Sequence, residues 1–108
     1  MAYDRSLAAE MRALMAGRPG VIEKAMFGGR SWMLNGNMVC GVGEARFMFR
    51  VGKDRMAEAL ARSGAEPVVF GDRTMGGFVW VDPDAALEDG LEDWIAFAWA
   101  FAASLPPK

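Results

Sequence analysis

Phe27-Gly28-Gly29-Arg30-Ser31-Trp32-Met33-Leu34-Asn35-Gly36-Asn37-Met38 is the stretch on which the fold turns. Asn-Gly set between two apolar runs is the strongest short-range signal for a β-hairpin, because both residues accept positive φ in a type I′ turn. A two-residue loop sets the expected register: Leu34 opposite Asn37, Met33 opposite Met38, Trp32 opposite Val39 and Ser31 opposite Cys40. That register puts Leu34, Trp32 and Val39 on one face and Met33, Met38, Cys40 and Val42 on the other. Apolar side chains on both faces are unusual for a sheet with one wet side. Gly28-Gly29 cannot be a phosphate loop of the usual kind, which needs glycines that open a helix. These open a strand, so a bend or bulge is expected there. Gly41-Val42-Gly43 fails the same criterion.

The pattern extends outward on both sides. Upstream, Asp4 reads as an N-cap, followed by Leu7, Met11 and Leu14 on one stripe of a helix that Gly17, Pro19 and Gly20 end. Val21 to Met26 reads as a strand leading into the opening stretch. Downstream, Phe47, Phe49 and Val51 alternate with Arg46, Met48 and Arg50, as a half-buried strand does. Asp54 to Ser63 reads as a short helix capped by Asp54, with Met56 and Leu60 inward and Glu58 and Arg62 paired at i,i+4. Val68–Phe70 and Phe78–Val81 read as strands joined by a loop from Gly71 to Gly77, and Pro83 ends the second. A last helix is expected from about Asp89 to Ser104. The order is α-β-β-β, with a fourth strand optional, then α-β-β-α. This is an α+β domain, an antiparallel sheet backed by helices in two layers.

The chain has 108 residues, with 53% hydrophobic content and a net charge of −2. Length fits one domain spanning 1–108, with no second domain. The charge balance disfavours a protein devoted to nucleic acid. The acids Asp82, Asp84, Glu88, Asp89, Glu92 and Asp93 cluster, as acids do around helix starts. They miss calcium-loop spacing, since the required glycine would fall on Leu87. The single cysteine excludes an internal disulfide and suits a reducing compartment. The charged N-terminus is unlike a signal peptide, and no apolar run approaches the ~20 residues of a membrane span. A cytoplasmic location without membrane association is expected.

Chemistry is hard to place. The chain has no histidine, which removes the commonest general base and metal ligand. Cys40, between Val39 and Gly41, reads as a small core hydrophobe rather than a reactive thiol. No catalytic, cofactor-binding or metal-binding residues are assigned, and the chain is expected not to be an enzyme. For nucleic acid, the basic side chains to weigh are Lys24, Arg30, Arg46, Arg50, Lys53, Arg55 and Arg73, provided several converge on one face. The last helix, Trp94-Ile95-Ala96-Phe97-Ala98-Trp99-Ala100-Phe101-Ala102-Ala103, has no charge on any side. Such a helix must be covered on more than one side. Either the domain wraps it or another chain covers its outer face; in so small a domain a second chain is expected, through Trp94, Phe97, Trp99 and Phe101, making a homodimer. Met33, Met38 and Met48 fall near one another on the sheet and suit an adaptable partner surface.

Lys24-x-Met26-Phe27-Gly28-Gly29, then Asn35-Gly36-Asn37-Met38, then Gly71-x-Arg73-x-Met75-x-Gly77-Phe78-Val79 with Val81-Asp82-Pro83 resembles the TfoX/Sxy N-terminal domain family across nearly the whole chain. The resemblance makes Met26, Phe27, Gly28, Gly29, Asn35, Gly36, Met75 and Gly77 family-motif structural residues. It implies an α-β(3)-α-β(2)-α fold like that of secretion chaperones, commonly dimeric, with no known catalytic residue or cofactor. In longer members this domain precedes a helical one, and the pair regulates competence for DNA uptake. The expected function is therefore a non-enzymatic dimeric interaction module with a protein partner. The alternative is a nucleic-acid-binding transcriptional regulator using Lys24, Arg30, Arg46, Arg50 and Arg73.

Overall fold

The computed structural model describes residues 4–26 and 28–108. Phe27 of the family motif lies outside the described residues. Helix α1 (Arg5–Met15) starts where expected: the Asp4 carboxylate accepts from the Ser6 and Leu7 backbone N–H groups, satisfying two donors that a first turn leaves open. Its buried side is Leu7, Ala8, Met11 and Met15, and Leu14 is only partly covered.

Strands β1 (Val21–Met26), β2 (Gly29–Leu34), β3 (Asn37–Val42) and β4 (Phe47–Arg50) follow as an antiparallel meander. After β4 come a 3-10 turn (Lys53–Arg55) and the one-turn helix α2 (Met56–Leu60), then β5 (Ala65–Phe70) and β6 (Arg73–Val81). The chain ends with α3 (Pro83–Asp89) and α4 (Leu91–Ala103). The six strands form one sheet in the order β1-β2-β3-β4-β6-β5. The architecture is α+β, as expected, with one strand more before α2 than the resemblance implies.

The hairpin at Asn35-Gly36 forms with both residues at positive φ, 54° and 84°. Its register holds for Leu34↔Asn37 and Met33↔Met38 and then slips: Trp32 pairs with Cys40, not with Val39. The cause is a β-bulge in β3, where Val39 and Cys40 together face Trp32. Both turn to the same side, so Cys40 and Val42 join Trp32, Leu34 and Val39 in the main core instead of the opposite face. Gly29 is needed for close approach: a side chain there would run into the Val42 carbonyl oxygen.

Three further boundaries differ from expectation. Arg73 to Gly77 belong to β6 rather than to a loop, with β5 and β6 joined tightly at Gly71-Asp72. Asp54 makes no cap; it lies within the 3-10 turn. The final helical region is two helices, because Asp82 caps α3 by accepting from Ala85 N–H with Pro83 at its first turn, and Gly90, at φ 100°, breaks the run before α4.

Every helix packs on one face of the sheet. Its core joins α1, α2, α3 and α4 to Trp32, Leu34, Val39, Cys40, Phe47, Phe49, Val51, Val79 and Val81. At its centre Phe49 stacks on Trp94 at 5.2 Å and Trp94 on Phe97 at 5.8 Å. The opposite face holds a second apolar cluster of Met33, Met38, Met48 and Val68, with Met26, Met75, Phe78 and Trp80 packed around it. No helix residue belongs to that second cluster.

Candidate functional site

Helix α4, uncharged from Trp94 onward, is covered mainly by its own domain. Trp94 is fully buried and Phe97 nearly so, both on the sheet side; Trp99 and Phe101 are half-buried. The positions of α4 that face solvent are Glu92, Asp93, Ala96, Ala100 and Ala103. Beyond the acids of the first turn, its outer side carries the methyls of Ala96, Ala100 and Ala103, which leave little apolar area uncovered. The alanines at 96, 100 and 103 carried that signal in the sequence, at helical spacing. The guanidinium of Arg62 lies 4.8 Å over Trp94, and that of Arg55 3.8 Å over Phe97, sealing the helix from the α2 side. Arg62 therefore stacks on rings, while Glu58 bonds Arg55 at i,i+3. The indole N–H of Trp94 has no hydrogen-bond partner among the described residues.

Of the five basic candidates Lys24, Arg30, Arg46, Arg50 and Arg73, Arg50 lines a cleft together with Lys53 and Arg55, and the other four do not line it. Lys24 is exposed on edge strand β1. Arg30 binds Glu23 at 2.7 Å, and the same carboxylate takes Arg12 of α1 at 2.8 Å. These bonds, Arg12 foremost, hold the Glu23 carboxyl down at about 2. Arg46 binds Glu66 at 2.7 Å and lies 4.2 Å over the Trp80 ring. Arg73 is exposed at the start of β6, beside the β5–β6 turn. Arg50 is at the far end of β4, its guanidinium 5.4 Å from the ring centres of both Phe78 and Phe101. Two of the five are thus already matched by carboxylates. Cys40 is fully buried, its thiol donating to the Met11 sulfur at 3.5 Å. Burial pushes the thiol far above its ordinary range, against a smaller opposing pull from Arg18. It is a core residue.

Two surfaces remain. The first is the helix-free face of the sheet. Met33, Met38 and Met48 interdigitate there, Phe78 and Trp80 are partly open, and Ile22, cross-strand from Met33, is 62% exposed at the β1 edge. Of the motif residues, Met26 and Met75 join this cluster, and Asn35-Gly36 form the turn at the end of β2. Gly28 sits in the β1–β2 turn at positive φ.

The second is a cleft of about 530 Å3 where β4, β6 and the C-terminal end of α4 meet, lined by Arg50, Gly52, Lys53, Asp54, Gly76 and Phe101 among others. The cleft floor is set by Gly77, whose carbonyl accepts from both Val51 N–H (2.7 Å) and Gly52 N–H (3.1 Å). Sequence inspection missed this site because it joins three segments distant in the chain. Arg50, Lys53 and Arg55 are among the basic candidates of the sequence, but with Gly52 and the Gly76-Gly77 pair they do not announce that they meet here. Among the described residues no group of three potential ligands could hold a metal, and no helix is long and apolar enough to cross a membrane.

A single antiparallel sheet with every helix on one side and a methionine-rich face on the other defines a small α+β domain of one-sided layer architecture. The chain belongs to the TfoX N-terminal domain family, whose sequence model matches residues 13–102. No curated protein and no solved structure matches it.

Proposed function

We propose that this chain is a non-catalytic regulatory module that binds a protein partner through the helix-free face of its sheet. The observation that carries the reading is the second apolar cluster, built largely of methionine on the side that no helix covers. Methionine is unbranched and polarisable, so a surface built from it repacks around varied partners at low cost. Phe78 and Trp80 offer partly open aromatic area of the kind that anchors interfaces. Lys24 lies on the same face, and Arg46 and Arg50 stack on its rings, so the partner segment suited to it is apolar and flanked by acids. Membership of the TfoX N-terminal domain family supports a role in regulation of the competence type. Pairing of Arg30 with Glu23 and of Arg46 with Glu66 favours protein over nucleic acid as the partner.

The test is site-directed photo-crosslinking in the native cytoplasm, with the crosslinker at Ile22 or Met75, and at exposed Glu88 on α3 as control. Nuclease is added to half of each lysate. A discrete protein adduct from Ile22 and Met75, resistant to nuclease and absent from Glu88, is expected. Equal labelling from all three positions, or adducts lost with nuclease, would overturn the reading.

A further inference from the structure

The cleft at the end of β4 has the composition of an anion site. At about 530 Å3 it is the size that small-molecule sites occupy. Arg50 and Lys53 both line it, and neither has a carboxylate within ion-pair distance among the described residues, unlike Arg12, Arg30, Arg46 and Arg55 elsewhere on the surface. Arg50 is half-buried between two phenyl rings. A guanidinium does not shed its charge, so partial burial without a counter-ion is a cost that a bound anion would remove. Arg55 adds a third cation to the lining, with one side already committed to Glu58.

The backbone is shaped for close approach from the same side. Gly52 lies against Phe101, and a side chain on it would stand 2.5 Å from the ring. Gly76, exposed on the opposite wall, would carry a side chain 3.0 Å from the Lys53 stem. Glycine at both positions keeps the cleft open between its cations. Phe101 and Ala100 supply an apolar wall, and Asp54 is the one carboxylate in the lining, an acceptor placed for a ligand hydroxyl or amine.

We propose that this cleft binds a phosphorylated small molecule of sugar-phosphate or mononucleotide size, its phosphate held by Arg50 and Lys53 and its body laid against Phe101. A guanidinium and an ammonium together suit a phosphate, the first by its planar fork and the second as a movable point charge. The site shares Arg50 with the partner-binding face but otherwise draws on Lys53 and the C-terminal end of α4, not on the methionine cluster.

Amide NMR titration with ribose 5-phosphate and, separately, inorganic pyrophosphate tests the proposal. Saturable shifts confined to Gly52, Lys53, Gly76, Gly77 and Phe101 are expected, with a dissociation constant of about 1 mM or tighter. Lys53→Gln, at an exposed position that leaves packing intact, should weaken binding about tenfold or more, and Arg50→Gln at least as much. Arg73→Gln, on a residue outside the cleft, should leave it unchanged. Shifts spread equally over Lys24 and Arg73, or binding indifferent to Lys53→Gln, would reduce the effect to general charge attraction and overturn the proposal. So would a single-stranded oligonucleotide that binds the cleft when neither small phosphate does. Ile22 crosslinking is unaffected by Lys53→Gln in either case, so failure here and failure of the partner reading are separable.

Discussion

Gly52→Ala is the substitution from which the geometry makes its strongest demand. Gly52 has φ 86° and ψ 151°, a region open almost only to glycine. Holding alanine there costs about 1–3 kcal/mol. The new methyl would also stand 2.5 and 2.6 Å from two Phe101 ring carbons, against a comfortable carbon separation of about 3.5 Å. The ring must therefore move by about 1 Å. Because Phe101 is half-buried it can swing toward solvent, and this part should cost about 1 kcal/mol. The sum is about 2–4 kcal/mol. For a domain of this size each kcal/mol lowers Tm by roughly 4–8 °C. Urea unfolding followed by tryptophan fluorescence would read the loss directly. Repeating the substitution in a Phe101→Ala background separates the two contributions: backbone strain persists, while the steric part disappears as a coupling energy of about 1 kcal/mol. A cost below about 0.5 kcal/mol in the native background would refute the assigned backbone conformation. An identical cost in both backgrounds would refute the ring contact.

Three further outcomes follow from particular contacts. Asp4→Ala removes the acceptor for two backbone N–H groups of α1 and should cost about 1 kcal/mol in denaturant unfolding, with Asp4→Asn close to native. Glu23 is held ionised by Arg12 and Arg30 with its carboxyl lowered to about 2, so folding favours its charged form. Its contribution is complete above the unfolded value near 4.5 and fades as pH falls from there toward 2. With Arg12 half-exposed and screened by solvent, this amounts to about 1 kcal/mol, and Glu23→Gln should flatten the acid limb of a Tm-versus-pH profile by that amount. The Cys40 thiol should be inert to a disulfide reagent in the native protein and react only with unfolding, while Cys40→Ser should cost about 1–3 kcal/mol by burying a hydroxyl against Met11.

The elements written in local chemistry were legible before any coordinates: the Asp4 cap, the Asn35-Gly36 turn, and the alternation that points Phe47, Phe49 and Val51 inward. What escaped depends on residues far apart. Nothing near Val39 announces a bulge; it arises because Cys40 and Val42 must face Phe49 and Phe47 across β4 while Met38 stays opposite Met33. Arg73 to Gly77 looked like a loop because of its glycines, and becomes strand because β5 pairs with its start and the β4 terminus bonds to Gly77. In the last helix the aromatic content marks what must be covered, and Ala96, Ala100 and Ala103 mark the side that faces solvent in the single domain. The methionine face was half visible, in the neighbouring Met33, Met38 and Met48, but the absence of any helix over it was not.

The bulge at Val39 has a consequence for how this chain tolerates changes in length. In a regular hairpin, losing one residue turns every later side chain to the wrong face. Here Val39 and Cys40 already share a side, so excising Val39 would leave Met38, Cys40, Gly41 and Val42 in plain alternation with every partner on β2 and β4 kept. The loss would be one buried valine and some twist, with no inversion of the sheet. An insertion at the same point has no such escape. The hairpin can therefore shorten by a residue and keep its inside and outside, and relatives that differ in length here should differ by deletion.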